Sequence, residues 1–386
     1  MELRKPGRSS VSTLELEIER NAFLSTLYKA QGVVDKKSTV NVLSHLLIEP
    51  SSDGLKLTGT DYDVVLEAAL DARILHGGLA CVNGKSLFDV MKSLDAPTVH
   101  LKVLDTHWIE VKAGRSKFKL AGINPTDFPE IRSPDEVVWF GIPHGTIKDL
   151  IEKTAFSVSG DETRMNLNGV FFKLDPSEEG RATLTMVSTD GHRLSKVETT
   201  VEVGGYDGQP YQAIIHKKGV QEMRRLLEDD VEHIEVGFAR GYILFRSRGT
   251  TFTVRQIEDT YPDYERVIPP DPDSRIVANR AEMIAAIRRI AVLTSSKTSI
   301  LKMELADGGM AFTTSNPDYG EGRDEIDVTY GGEPITIGFN YVYLLDVLNV
   351  LRSEMVTLSC NDAFSPTVIT SDDEPGARFV VMPMRI

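Results

Sequence analysis

The feature that most constrains this chain is an internal repeat of one plan, written three times. Helical periodicity recurs at 20–34, 144–156 and 280–293, with Phe23, Leu27 and Val34, then Ile147, Ile151 and Ala155, then Met283, Ile287 and Ile290 on the apolar face. Each is followed by an apolar strand running into a polar turn: LTGTDYD (57–63), MVSTDGHRL (186–194) and FTTSNPD (312–318). A second helix then carries Leu87, Met91 and Leu94, or Val220, Met223 and Leu227, or Leu344, Leu348 and Leu351. Alternating strands FKL (118–120), FTV (252–254) and FVV (379–381) close the copies. The 386 residues give a period of about 129, far beyond a solenoid repeat, so each copy is large enough to be a domain. Pro- and Asp-rich joins fall at 124–136 and 259–274. Strands outnumber helices in every copy, which predicts an α+β fold: antiparallel sheet with two amphipathic helices per domain.

Charge is unevenly shared. The chain carries a net charge of −14, yet the six helical windows hold fourteen basic against eight acidic residues. An acidic chain that spares its helices suggests a surface facing phosphate, with contact that does not read sequence. Lys85, Lys148, Lys217, Arg224, Arg280 and Arg288 on those helices are the candidates for such contact. Two widely separated cysteines, Cys81 and Cys360, make neither a disulfide framework nor a four-cysteine zinc site, and fit a reducing cytoplasm. No apolar run is long enough for a membrane span, and residues 1–13 form a polar tail without a signal-peptide core.

Catalytic chemistry is hard to find. Gly-Lys-Ser at 84–86 lacks the glycine that a phosphate loop places five residues ahead, where Leu79 stands. Asp61 and Asp63 have no third carboxylate partner, so no metal and no cofactor are expected. Asp190, His192 and Arg193 could be drawn as an acid–base group, but Asp190-Gly191 is first a turn pair. An enzyme using Asp190 and His192 is the alternative that these residues leave open.

The strings GTDYD, GRSKFKL with NPTDFPEI, STDGHRL, YPDYERVIP, IGFNYVYLLDVLNVL and the terminal VVMPMRI resemble the bacterial DNA polymerase III beta subunits, the sliding clamps, in order and spacing from about Leu14 to Ile386. The resemblance implies three clamp domains, 14–132, 133–268 and 269–386, forming half of a six-domain homodimeric ring. That ring would encircle duplex DNA without sequence preference and catalyse nothing. Its partners would be DNA polymerase III, the clamp loader, other polymerases and repair proteins. Helix geometry agrees: six helices at ~9 Å spacing leave a hole of roughly 7 Å, whereas twelve leave roughly 24 Å, enough for a duplex about 20 Å wide. A specialised clamp serving one pathway would share these strings, so they leave that alternative open.

The resemblance also implies a pocket for a hydrophobic partner peptide. Its residues here would be Leu167, Thr189, Gly191, His192, Arg193, Leu194, Pro262, Arg266, Val267, Phe364, Val380, Val381, Met382, Pro383, Met384 and Arg385. Phe364 replaces a smaller residue, and Met165 and Asn166 stand where some members have aromatics. Lys37 and Arg164 match DNA-facing positions. In a head-to-tail dimer, Phe118 and Leu120 beside Lys117 and Lys119 would meet Val292 and Leu293 of the other copy, with Glu321, Asp324 and Glu325 as complementary charge.

Overall fold

The computed structural model describes residues 13–34, 40–178, 180–228, 231–270, 274–294 and 299–386. The expected N-terminal tail, save Thr13, and Lys37 lie outside them. The architecture is α+β, with six α-helices among the described residues: α1 (Arg20–Val33), α2 (Gly84–Ser93), α3 (His144–Thr154), α4 (Lys217–Leu226), α5 (Arg280–Ala291) and α6 (Tyr341–Val350). They fall where the apolar periodicity predicts, and Phe23, Leu27, Ile147, Ile151, Met283 and Ile287 are each at most 1 % exposed, but α3 stops at Thr154, so Ala155 lies in a following 3-10 turn and is only half-buried.

Four of the helix starts carry a side-chain cap. Glu19 caps α1 through the N–H groups of Asn21 and Ala22, and Asn83, Asn279 and Asn340 cap α2, α5 and α6 the same way. The first residue of the first helix in each copy then reaches the end of the second. Arg20 donates to the carbonyls of Met91 and Lys92, His144 Nε2 lies 2.9 Å from the Leu227 carbonyl, and Arg280 donates to Leu348 and Ser353. These side chains satisfy carbonyls that the helix C-terminus leaves orphaned, and the cations also suit its negative dipole end.

Two compact units emerge, and the middle copy contributes to both. One contains the residues up to His144 together with Lys218–Gln256; the other contains Gly145–Lys217 and Ile257–Ile386. In the first unit an eight-stranded antiparallel sheet runs Val138–Pro143, His233–Ala239, Tyr242–Ser247, Thr250–Arg255, Val64–Leu70, Gly54–Thr60, His45–Ser51, Ala80–Asn83. It is continuous because Phe252 pairs with Leu66 across the join of two copies. A five-stranded sheet beside it ends on strand Ser116–Leu120, paired on one side only, by Ile109–Ala113. In the second unit the same device joins the middle and last copies, with Leu194 opposite Val380 and Arg193 opposite Val381.

Candidate functional site

Every residue assigned to the peptide pocket lies in the second unit. The turn between strands Arg181–Thr189 and Arg193–Glu202 is built by Asp190, whose Oδ1 accepts the N–H groups of His192 (2.9 Å) and Arg193 (3.0 Å). Gly191 sits at φ 88°, a left-handed conformation that glycine adopts without strain. Oδ2 of Asp190 accepts from Arg193 Nε at 3.1 Å, so both carboxylate oxygens are engaged within the turn. Among the described residues no hydrogen bond joins Asp190 to the exposed His192 ring, so the turn gives the acid–base reading of the pair no support.

The C-terminal segment is laid against this turn. The Met382 N–H donates to the His192 carbonyl at 2.9 Å, and the Met384 N–H to Gly338 at 2.8 Å. Behind the turn, Val187, Leu194 and Val380 form a buried cluster with Phe171, Tyr261, Tyr264 and Ile268 packed on it. Phe171 stacks on Tyr261 with ring centroids 5.0 Å apart, and burial pushes the Tyr261 phenol well above its usual range. Of the other residues assigned to the pocket, Leu167 is buried, Met382, Pro383 and Met384 are half-buried, and Pro262, Arg266, Val267, Arg385 and Phe364 are exposed. Phe364 is 78 % exposed on a turn held by Asp362.

Arg193 has a task that the sequence does not reveal. Its guanidinium donates to Asp346 (2.5 Å) and to the Phe156 carbonyl (2.6 Å), and lies 4.4 Å from the Tyr343 ring centre. It positions the turn rather than offering free donors. Conversely, Arg164, matched to a DNA-facing place, lies beside the turn: a Cβ added to Gly191 would come 2.8 Å from its Nη1. The aromatic floor has only a faint mark in the sequence: the YPDYE string reads as a linker, and two tyrosines three residues apart are its packing signal.

The helix cations divide into two groups. Lys148, Lys217, Arg224 and Arg288 are exposed, and Lys85 is exposed while paired with Asp89 at 2.8 Å. Arg280, also a candidate for phosphate contact, is engaged on the carbonyls ending α6, and Lys29 and Lys153 are buried at 6 % and 5 %. Thus part of the basic excess of the helix windows is internal. Two sheet edges carry opposite charge. Strand Ser116–Leu120 presents Lys117, Lys119 and the 36 %-exposed Phe118, with Lys117 2.7 Å from Glu110 on the neighbouring strand. Strand Gly320–Thr329 pairs fully with Gly309–Asn316 but meets Ser274–Asn279 only at Val328 and Thr329, leaving the edge at 320–327 open among the described residues. It carries Glu321, Asp324 and Glu325, with Asp324 bonded to Arg289. Val292, at the end of α5, is 77 % exposed.

Both thiols are buried; desolvation raises Cys360 and pushes Cys81 up to about 12. Among the described residues no group of three or more His, Cys, Asp and Glu could hold a metal, and no helix is long and apolar enough to cross a membrane.

Comparison with known proteins accounts for this arrangement. The models of the DNA polymerase III beta subunit match successively: the N-terminal domain at 14–132, the central domain at 141–263 and the C-terminal domain at 265–385. The beta sliding clamp of Vibrio cholerae is 31% identical over 375 residues, covering 97% of this chain and 100% of the relative; that of Pseudomonas putida is 33% identical with the same coverage. The solved sliding clamp of Bartonella birtlesii, bound to griselimycin, superposes with a TM-score of 0.90 at 29% identity, and that of C. crescentus with 0.88 at 30%, each covering 97% of this chain and 100% of its own. The chain belongs to the DNA polymerase III beta subunit family, the bacterial sliding clamps.

Proposed function

We propose that two copies of this chain close head-to-tail into a ring of six domains, bounded near 14–132, 133–268 and 269–386, through which duplex DNA passes. The ring is a scaffold, not a catalyst. It works in the cytoplasm and holds DNA polymerase III, the clamp loader and other polymerases and repair proteins at the duplex. Sliding requires contacts that are numerous, weak and uniform, and exposed Lys148, Lys217 and Arg224 supply charge without base reading. Persistence on DNA then comes from topology. The observation that carries the reading is the pair of open sheet edges of opposite charge, one basic at Ser116–Leu120 and one acidic at Gly320–Thr329, on a chain whose helices are too few to surround a duplex alone.

The groove formed by the 190–192 turn and the C-terminal segment is the docking place for an apolar peptide. Met382 and Met384 offer adaptable surface for several ligands, and the Bartonella birtlesii relative was solved with griselimycin bound. The test is topological. Clamps loaded onto circular DNA should stay through gel filtration and run off once the circle is cut; equal retention on circular and linear DNA overturns the ring.

A further inference from the structure

The repeat makes the two joins within the chain guides to a third. At the first join, α1 lies against α4. Tyr28, the ninth residue of α1, donates to Glu228 at 3.1 Å; Glu228 is the twelfth residue counted from the start of α4. At the second join, α3 lies against the end of α6. Glu152, the ninth residue of α3, accepts from Arg352 at 3.4 Å; Arg352 is the twelfth residue counted from the start of α6. The same two places meet in both, although the chemistry differs: a phenol with a carboxylate, then a carboxylate with a guanidinium.

The first helix of the last copy and the second helix of the first copy have no such join described within the chain. The ninth residue of α5 is Arg288 and the twelfth counted from the start of α2 is Asp95, again a complementary pair. Both are exposed, and Arg288 reaches only the neutral Asn349, at 3.2 Å. Random placement would give a complementary pair at this third position in a minority of sequences. We infer that Arg288 of one copy pairs with Asp95 of the second copy, so that Arg288 serves the subunit contact rather than DNA. This rests on the head-to-tail ring and names a specificity contact within it. Lys92 holds the ninth place of α2, so the gain is that of an exposed, screened pair.

A closed dimer contains the pair twice, which gives a decisive test. Arg288→Glu and Asp95→Arg should each weaken homodimerisation about tenfold at low salt, since both contacts become repulsive. Mixing the two variants should restore wild-type affinity: one contact then holds the reversed pair and the other the original pair. Native mass spectrometry of one isotope-labelled variant should show mixed dimers above the statistical share, an excess that fades in high salt. Statistical mixing, with wild-type affinity in both single variants, overturns the pair while leaving the ring intact. A wild-type protein that is monomeric throughout overturns the ring itself.

Discussion

Replacing Val292 and Leu293 together with Ala tests the subunit contact where the energy should be concentrated. Val292 is 77 % exposed in the single chain, so its truncation leaves the protomer core untouched. Leu293 is partly covered: a Cβ built on Gly322 would lie 3.0 Å from its Cδ1, which places that methyl against the acidic edge strand. At ~0.8 kcal/mol per buried methylene, Val→Ala forgoes ~1.6 kcal/mol and Leu→Ala ~2.4 kcal/mol on complete burial. Scaling the first by exposure and the second by about half leaves ~2.5 kcal/mol per contact. A twofold dimer contains two contacts, so the loss is ~5 kcal/mol, between three and four orders of magnitude in Kd. Sedimentation across a concentration series reads this directly, with near-equal unfolding midpoints for wild type and variant confirming that the protomer is intact. A Kd within threefold of wild type would refute the assignment of the contact to this helix end.

Two further outcomes follow from the geometry. Removing Met382–Ile386 should abolish calorimetric binding of an apolar polymerase-derived peptide while the dimer persists, because the deletion takes two terminal backbone hydrogen bonds and leaves buried Val380 and Val381 in their strand; undiminished binding would put the docking site elsewhere. Hydrogen bonds from Lys112 and Lys117 hold the Glu110 carboxyl down at about 2, so its contribution is complete above the unfolded value near 4.5 and is lost as pH falls toward 2. Wild type should therefore resist urea better than Glu110→Gln by a constant margin above pH 5, a margin that narrows toward pH 2; one that holds at pH 2 would show that the pair contributes nothing.

What the sequence disclosed follows from which physical signals are local. Helix positions were readable because burial of Phe23 and Leu27, or Met283 and Ile287, imposes a period visible within a dozen residues. The 190–192 turn was readable because Asp-Gly carries its own backbone preference. The sharing of sheets between copies was not, since Phe252 meets Leu66 through a ladder with no local trace. Charge was the most misleading signal. Lys153 is buried with Asp149 and Glu374, and Arg280 caps a neighbouring helix, yet both read from sequence as solvent-facing cations. A long donor side chain at the first position of a helix can serve the carbonyls of its neighbour, and the recurrence of Arg20, His144 and Arg280 at that place was the clue available.

The shared sheets also give the proposed closure by a second copy its sense. Where two copies join within the chain, the closing strand of one completes a ladder with the other, at Phe252–Leu66 and at Leu194–Val380. Among the described residues the first copy's closing strand, Ser116–Leu120, has no such partner, and the last copy leaves the edge at 320–327 open. Exposed strand edges invite pairing with any available chain, and like charges are the usual safeguard. Here the safeguard is directional. Lys117 and Lys119 repel a second basic edge, Glu321, Asp324 and Glu325 repel a second acidic one, and only the unlike edges attract. In the proposed dimer, joining the unlike edges of two copies uses each edge once, and the twofold axis leaves neither of them open. The open edges that would expose this chain to indiscriminate strand pairing are therefore the ones that the proposed ring consumes.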